Sequence, residues 1–374
     1  MNPFQAAKMA LPFYDPAVEM PSISNVSHNR RVARRLIAWF ARSARDLPWR
    51  RTTDPYAIWI SEIMLQQTQV GTVAPYFERW MRELPTLAAF ARARPEKALK
   101  LWEGLGYYSR VRNAHAAAKA VMRRHGGRFP RKFEDILALP GIGRYTAGAI
   151  SSIAFNQPAP VLDGNVMRVL SRLFGVGGDP RGKTANAVLW QLARDLVLAE
   201  PARCSELNQS LMELGALICA PRQAKCGECP ARGFCFAFRK GRVEEFPARA
   251  RRAPTTARRR VAFVARRQNR FLVRQRPGGV VNARLWEFPN VEAGRRDERD
   301  PRDGRDGGFR IVGGQPICRI RHSIMRQRIL LEAYHARTAG KTPGVWKTIP
   351  QLNRLPFTSA HRKILAVLST GGLS

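Results

Sequence analysis

The hydrophobic periodicity of the chain changes once, near residue 258, and this change restricts the architectures that it can adopt. Over residues 29–240 apolar residues recur at the three- and four-residue spacing of amphipathic helices. Beyond the change, VAFVAR (261–266) and RFLVRQ (270–275) alternate as half-buried strands do. Helices and strands segregated along a chain predict separate layers. We therefore expect an all-α domain over residues 29–240, followed by a smaller α+β domain over residues 259–374.

The segments outside these two domains have no regular period. Residues 1–28 predict a loose tail without a signal peptide, because no apolar core of sufficient length occurs there. Residues 241–258 read GRVEEFPARARRAPTTAR and predict a basic linker, whereas residues 294–308 predict a mixed-charge loop. No apolar run of about 18 residues is present, so we expect no membrane partner and a cytoplasmic location, as in a bacterium.

The charge balance indicates the kind of partner. The chain has 64 basic and 28 acidic residues, for a formal net charge of +36. Arginine dominates the basic residues, and its guanidinium group suits bidentate contacts with phosphate. A surplus of this size favours nucleic acid over an anionic membrane as partner. An arginine-rich proteome would also account for part of it.

The stretch WISEIMLQQTQ (59–69) places one carboxylate, Glu62, among apolar residues. An ionised glutamate on an apolar helix is costly unless it is paired. Two interpretations follow. Glu62 has a buried partner and a structural role, or the chain keeps its carboxyl group protonated for chemistry.

A second motif, LPGIGRYTA (139–147), lies between two helical segments. Gly141 and Gly143 permit a tight turn and bring backbone N–H groups to the surface at a helix start. Such a turn holds a phosphate group without reading base sequence. An ordinary connection between two helices remains the alternative.

A third motif, PVLDGNVMR (160–168), places Asp163 just ahead of a predicted helix. Free amides and the helix dipole at that position favour an ionised carboxylate. Asp163 is then either a simple N-cap or, if Asn165 is the cap, a carboxylate free for another role.

Four of the six cysteines are crowded together and predict a metal centre. They are Cys219, Cys226, Cys229 and Cys235, with six, two and five residues between them. Soft sulfur ligands select an iron–sulfur cluster or zinc. A zinc ribbon usually shows two C-x2-C pairs, and only one is present here. We expect a structural role for this centre.

Taken together, SEIMLQQTQV, GLGYYSRVRN, LPGIGRYTAGAI, VLDGNVMRV and the cysteine spacing resemble the MutY-type adenine DNA glycosylases. The resemblance covers about residues 30–240. It implies a helix-hairpin-helix glycosylase with a [4Fe-4S] cluster on the four cysteines, acting as a monomer. Its substrate would be double-stranded DNA with adenine mispaired with 8-oxoguanine or guanine.

Endonuclease III is the nearest competing family, since it shares the hairpin, the aspartate and the cluster. Its relatives carry a hairpin lysine that forms a Schiff base with the sugar, whereas this chain has Tyr145, and a phenol cannot form an imine. They also lack a glutamate at the position of Glu62. Both differences favour a monofunctional glycosylase. A non-catalytic DNA-binding scaffold is a third possibility, which the two carboxylates disfavour.

The resemblance also implies roles for individual residues. Glu62, its pKa raised by apolar neighbours, would be the general acid that protonates the adenine. Asp163, kept ionised, would stabilise the oxocarbenium-like sugar, and Tyr145 and Asn165 would support it by hydrogen bonds. The target base must leave the duplex first.

The remaining carried-over positions contact DNA or the adenine. Ten residues are expected in these roles: Trp49, Arg50, Leu65, Gln67, Thr68, Leu105, Tyr107, Gly141, Gly143 and Gln209. Gln67 and Tyr107 match residues that wedge into the duplex, and Leu65 and Leu105 share their surface loops. Trp49, Arg50 and Gln209 match positions that line the adenine pocket. For Trp49 and Tyr107 a core role is the alternative.

Residues 259–374 resemble, more weakly, the Nudix-like domain by which this family recognises 8-oxoguanine. The signature of Nudix hydrolases is absent, so we expect no pyrophosphatase activity. The family's Phe-Ser-His loop is replaced by Ile324, Met325 and Arg326. Either Ser323 or Gln327 could supply the missing contact. We therefore expect a reduced or differently built preference for 8-oxoguanine over guanine.

Overall fold

A computed structural model of the chain describes residues 26–248, 254–293, 308–340 and 342–370. Most of the predicted tail, the centre of the predicted linker (249–253) and nearly all of the predicted mixed-charge loop (294–307) lie outside these residues. Within the described part of the chain, no helix is both long and apolar enough to cross a membrane.

Helices make up the part of the chain that has the helical period. They are α1 (Val26–Ser43), α2 (Pro55–Leu65), α3 (Val70–Glu83), α4 (Leu87–Arg92), α5 (Pro95–Leu101), α6 (Ser109–Arg124), α7 (Phe133–Leu137), α8 (Arg144–Phe155), α9 (Gly164–Phe174), α10 (Lys183–Ala199), α11 (Cys204–Leu217) and α12 (Phe236–Arg239). Short 3₁₀ turns at Pro48–Arg50, Pro201–Arg203, Cys226–Glu228, Arg232–Phe234 and Val243–Glu245 join some of them.

The apolar stripes of α1, α9, α10 and α11 meet in one core, in which Leu36, Leu170 and Leu189 are fully buried. Two glycines allow close packing beside this core. A Cβ atom on Gly148 would lie 2.2 Å from the carbonyl oxygen of Pro160, and one on Gly215 would lie 2.6 Å from Asn165 Cβ. Helix α8 therefore presses directly on the segment before α9, and α11 presses on the first turn of α9.

Strands begin at Thr256, two residues before the predicted end of the linker. They are β1 (Thr256–Arg267), β2 (Arg270–Gln275), β3 (Trp286–Glu287), β4 (Asn290–Glu292), β5 (Phe309–Ile311), β6 (Cys318–Ile324), β7 (Gln327–Thr338) and β8 (Val345–Thr348), followed by helices α13 (Ile349–Asn353) and α14 (Ser359–Thr370). The predicted β1–β2 hairpin is confirmed, with Arg267 opposite Arg270.

The strands form one mixed sheet with the order β3-β2-β1-β7-β5, to which β4, β6 and β8 add through β1, β7 and β2. Strands β1 and β7 run parallel, from Thr256 opposite Gln327 to Ala265 opposite Ala336, and the other pairs are antiparallel. One apolar cluster of this sheet includes Ile364 of α14. A helical domain followed by a smaller α+β domain is thus confirmed.

The chain divides into two compact units. One comprises the described residues within Met1–Ala91 and Ala116–Arg251, and the other those within Arg92–His115 and Arg252–Ser374. The segment Arg92–His115 therefore belongs with the strands, although its period is helical. One of its links to them is the hydrogen bond that Arg112 donates to the carbonyl oxygen of Ala283, at 3.0 Å.

Candidate active site

Helix α2 carries Glu62 into the protein interior. Asp54 caps the helix by accepting a hydrogen bond from the Tyr56 N–H at 3.0 Å, and Pro55 occupies its first turn. Every residue from Tyr56 to Met64 is buried, so this helix is surrounded on all sides. Glu62 is consequently only 5% exposed.

Burial raises the pKa of Glu62 from its usual 4.5 to about 7. The hydroxyl of Tyr145 donates a hydrogen bond to Glu62 Oε2 at 2.6 Å and lowers this pKa, the charge of Asp163 raises it, and the charge of Arg50 lowers it. Loss of hydration outweighs the opposing effects. The predicted rise in the pKa of Glu62 is confirmed.

Asp163 is itself the N-cap of α9. Its Oδ1 accepts a hydrogen bond from the Val166 N–H at 2.7 Å, and its Oδ2 accepts one from the side-chain amide of Asn165 at 3.0 Å. The alternative in which Asn165 was the cap is wrong. Asn165 instead supports Asp163, as the resemblance implied, and accepts a hydrogen bond from Arg168 at 2.9 Å.

The electrostatic expectation for Asp163 needs a correction. We predicted that the helix start would hold this carboxylate ionised, but burial raises the pKa of Asp163 above its usual value. Hydrogen bonds from the Val166 N–H and from Asn165, together with the charge of Arg168, oppose the rise without cancelling it. The cap stabilises the carboxylate, and the buried setting destabilises it more.

Tyr145 connects the two carboxyl groups in a way that the sequence did not suggest. We expected its hydroxyl to support Asp163, yet the hydrogen bond that it donates to a carboxyl group goes to Glu62. The phenol also lies 3.3 Å from the sulfur of Met212. Burial, followed by the charges of Glu62 and Asp163, raises the pKa of Tyr145 well above its usual value. Glu62, Tyr145 and Asp163 thus form one electrostatically coupled group.

Arg50, whose charge acts on Glu62, is held in a buried ion pair with Glu213. Its two terminal nitrogens donate to Glu213, at 3.1 Å to Oε1 and 2.9 Å to Oε2, and Arg45 donates to the same carboxylate through its backbone N–H and two side-chain nitrogens. Burial of Glu213 opposes its ionisation, but the hydrogen bonds from Arg45 and Arg50 prevail and lower its pKa to about 2. Sequence reasoning missed Glu213. The available signal was its position four residues after Gln209 on one helix face.

The residues expected to line the adenine pocket differ in exposure. Trp49 is 7% exposed and packs edge-to-face on Phe77 with the ring centroids 5.6 Å apart, which favours the core role. Gln209 is half-buried and donates a hydrogen bond to Ser205 Oγ at 3.3 Å.

The residues expected to contact DNA are mostly at the surface. Leu65 ends α2 and is half-buried, Gln67 is exposed with φ 59°, and the Thr68 N–H donates to the Leu65 carbonyl at 3.2 Å. In the other unit Tyr107 is 51% exposed with φ 44°, which rules out the core role. The placement of Leu105 at the surface is wrong, since it is 6% exposed and anchors its loop.

The LPGIGRYTA segment forms a hairpin between α7 and α8. The Ile142 N–H donates to the Leu139 carbonyl at 3.1 Å, and Gly141 has φ +75°, a conformation that L-residues rarely adopt. Gly143 is the N-cap of α8 with an ordinary φ of −97°, so its backbone does not require glycine. A Cβ atom on Gly143 would meet nothing within 4 Å, so this helix start is open to a ligand.

The four clustered cysteines lie on the loop after α11 and are all half-buried. Burial, with the charges of the other three thiols, raises the pKa of Cys229 to about 11. In the part of the chain that the structure describes, no three His, Cys, Asp or Glu side chains are grouped closely enough to hold a metal ion. Cys226 begins one short 3₁₀ turn, Cys229 follows it and Cys235 follows a second, and thiols are the donors that soft metals prefer.

Comparisons with known proteins identify the class of enzyme. Residues 60–195 match the family model of the HhH-GPD superfamily base excision DNA repair proteins, and residues 260–367 match the NUDIX domain. The chain is 33% identical to the adenine DNA glycosylase of Homo sapiens, over 89% of this chain and 73% of the human protein. It is 34% identical to the adenine DNA glycosylase of Buchnera aphidicola subsp. Schizaphis graminum, over 69% of this chain and 74% of that protein.

A solved structure described as a thermostable thymine-DNA glycosylase has the same fold. Its TM-score is 0.51 at 32% identity, over 57% of this chain and 98% of that one. That protein is named for thymine rather than adenine, so this likeness supports the fold and does not identify the base that is removed. The extended similarity to the human enzyme decides the family: the chain belongs to the adenine DNA glycosylases of the helix-hairpin-helix base excision repair superfamily.

Proposed function

We propose that this enzyme hydrolyses the N-glycosidic bond of adenine mispaired with 8-oxoguanine or guanine, and leaves the DNA strand intact. The observation that supports this proposal most directly is the pKa of Glu62, which is about 7 because the residue is buried beside Tyr145 and Asp163. A carboxyl group that keeps its proton near neutral pH can give it to a departing base.

In the proposed reaction Glu62 protonates the adenine after the base has left the duplex. Protonation withdraws electrons from the glycosidic bond, which breaks to leave neutral adenine and an oxocarbenium-like sugar. The carboxylate of Asp163 stabilises that positive charge, and water then adds to the sugar carbon while its proton goes to the Glu62 carboxylate. Asn165 holds Asp163 in place through its 3.0 Å hydrogen bond, and Tyr145 orients the Glu62 carboxyl group.

The decisive experiment is single-turnover adenine release from a duplex with one A:8-oxoguanine pair. We expect release by the parent protein and a loss of at least about 100-fold in Glu62→Gln and in Asp163→Asn. Full activity in either variant would remove the corresponding role. DNA binding by a parent protein that releases no adenine would instead favour the scaffold interpretation.

The absence of strand cleavage follows from the hairpin chemistry. Tyr145 occupies the position where endonuclease III relatives carry a lysine, and its phenol is held by Glu62 at 2.6 Å. We expect no covalent adduct with DNA when borohydride is added during the reaction. A trapped adduct would favour a glycosylase with lyase activity.

The proposed duplex contacts combine phosphate binding by the hairpin with wedging by Gln67 and Tyr107. Substitutions at Gly141 and Gly143 distinguish the folding of the hairpin from its proposed binding of phosphate. Gly141→Ala strains a residue at φ +75° and should cost about 1 kcal/mol of folding stability. Gly143→Ala should leave stability unchanged but weaken duplex binding, because its methyl group occupies the open helix start. A Gly143→Ala protein that binds duplex as tightly as the parent would contradict the phosphate role.

Recognition of the base opposite adenine is proposed for the β6–β7 hairpin. Met325 lies in its turn with φ 54° and is 77% exposed, and exposed Ser323 is paired across the hairpin with Arg328. We expect similar single-turnover rates and affinities for A:8-oxoguanine and A:G duplexes, relative to other family members. A large preference that Ser323→Ala abolishes would show that the hydroxyl contact has moved to Ser323.

The four cysteines that cluster in the sequence are proposed to hold a [4Fe-4S] cluster. Bound there, the cluster would stabilise the loop after α11 through its bonds to sulfur. Arg172 already ties this loop to α9, since it donates to Cys219 Sγ at 3.4 Å and to the Ala220 carbonyl at 2.7 Å. Purified protein should contain about four iron and four sulfide ions per chain, which Cys226→Ser lowers and Cys318→Ser does not. Bound zinc in place of iron and sulfide would support the alternative of a zinc site.

A further inference from the structure

A buried carboxylate, Glu103, joins the loop that carries Tyr107 to residues at and just before α14. Glu103 stands directly before this loop and is largely buried, with its side chain 14% exposed. Its Oε1 accepts hydrogen bonds from the Phe357 N–H at 2.7 Å and from Arg362 Nε at 2.8 Å, and its Oε2 meets Lys100 Nζ at 2.6 Å. Three residues thus donate to one buried charge, namely Phe357 just before α14, Arg362 within α14 and Lys100 of α5.

The loop beyond Glu103 has little freedom of its own. Arg110 donates to the carbonyl oxygens of Leu105 and Gly106 at 3.0 and 3.2 Å, and the indole N–H of Trp102 also donates to Gly106, at 3.0 Å. Tyr107 follows with φ 44°, and its ring lies over the Arg110 guanidinium at 5.7 Å. Because these contacts hold the loop in one conformation, a displacement of Glu103 also displaces Tyr107.

Together these contacts form a continuous series inside one compact unit. It runs from the Phe357–Arg362 segment through Glu103 to the exposed ring of Tyr107. Phe357 belongs to the same apolar cluster as Ile320 of β6, the strand that leads to the Met325 turn. The element expected to meet the opposing base and the residue expected to enter the duplex are therefore parts of one packed body.

We propose that Glu103 is a positioning residue that ties the Tyr107 loop to the β6–β7 hairpin, so that the fit of the opposing base is transmitted to the wedge. The proposal rests on the proposed function, because it requires Tyr107 to enter the duplex. Glu103 acts only through Tyr107 and touches neither the adenine nor the reacting sugar.

A double-mutant cycle tests this coupling. Glu103→Ala is measured alone, with Tyr107→Ala, and against Glu96→Gln, which removes an exposed carboxylate from the same segment. The readouts are the single-turnover rate of adenine release, the duplex dissociation constant and the fluorescence of 2-aminopurine beside the target adenine, which reports unstacking. Glu103→Gln serves as a milder variant, since its amide oxygen can still accept from the Phe357 N–H.

Glu103→Ala should lower the rate about three- to tenfold and reduce the 2-aminopurine signal, with a much smaller change in the dissociation constant. Glu103→Gln should have an intermediate effect and Glu96→Gln none. In the Tyr107→Ala background the Glu103 substitutions should lower neither the rate nor the 2-aminopurine signal any further. Additive losses in that background would overturn the proposal, and so would a loss of rate with normal 2-aminopurine fluorescence. A parent protein that releases no adenine would instead refute the proposed function.

Discussion

Ionisation of Glu62 should destabilise the folded protein as the pH rises from 4.5 to about 7. The pKa of Glu62 is about 7 in the folded chain, against 4.5 for an exposed glutamate. Below pH 4.5 both the folded and the unfolded chain keep this proton. Between the two pKa values only the folded chain keeps it, so the free energy of unfolding falls as pH rises. Above about 7 the whole contribution has been lost.

The size of this effect follows from the difference between the two pKa values. Each unit of pKa difference corresponds to about 1.4 kcal/mol, so Glu62 should remove about 3 kcal/mol of stability between acid and alkaline pH. Glu62→Gln cannot ionise, and its amide oxygen can still accept the hydrogen bond from Tyr145. This variant should therefore match the parent near pH 4.5 and exceed its stability by about 3 kcal/mol at pH 8.

Denaturant unfolding of the parent and Glu62→Gln at several pH values measures this difference directly. Other titrating groups cancel when the two proteins are compared at each pH. Glu134→Gln, which removes an exposed carboxylate, serves as the control substitution. A difference between the parent and Glu62→Gln that stays constant from pH 5 to 8 would refute the raised pKa. The proposed acid role would then lose its physical basis.

Substitutions at three further residues test the neighbours of Glu62. Tyr145→Phe removes a hydrogen bond that lowers the pKa of Glu62, so the fall in the single-turnover rate should move to higher pH. Asp163→Asn should lose activity and keep its stability, because an asparagine also caps a helix, whereas Asp163→Ala should cost about 1 kcal/mol more in denaturant unfolding. Glu213→Gln leaves the guanidinium of Arg50 without its charged partner and should lower the free energy of unfolding by about 3 kcal/mol. The same change should lower the pKa of Glu62, so the rate should fall at lower pH than in the parent; an unmoved pH profile would contradict this reasoning.

The sequence predicted those features that depend on local pattern. The change of period near residue 258 predicted a helical part and a strand-bearing part because each kind of element must bury its own apolar face. The raised pKa of Glu62 was predictable because α2 is apolar on every side. The partners of the site residues were not predictable, since they come from distant parts of the chain. Glu213, 163 residues from Arg50, shows no local sign of the ion pair that it forms.

The same distinction explains the errors at Asp163 and Leu105. The pattern correctly placed Asp163 at a helix start, where local amides favour its charge. It could not show how deeply Gly148 and Gly215 let α8 and α11 close over this segment. Burial depends on that packing, and burial decides the direction of the pKa shift. Leu105 was placed at the surface because its loop is, whereas the loop turns its side chain inward.

A site that needs one protonated and one ionised carboxyl group must make the two groups titrate in a fixed order. Burial raises the pKa of both Glu62 and Asp163, so burial alone does not set that order. The hydrogen-bond donors differ. Asp163 accepts from the Val166 N–H and the Asn165 amide near the cationic Arg168, and these groups lower its pKa. Glu62 accepts from the hydroxyl of Tyr145, and the charge of an ionised Asp163 raises its pKa. Both effects favour the state with Glu62 protonated and Asp163 ionised, which is the state that the proposed reaction requires.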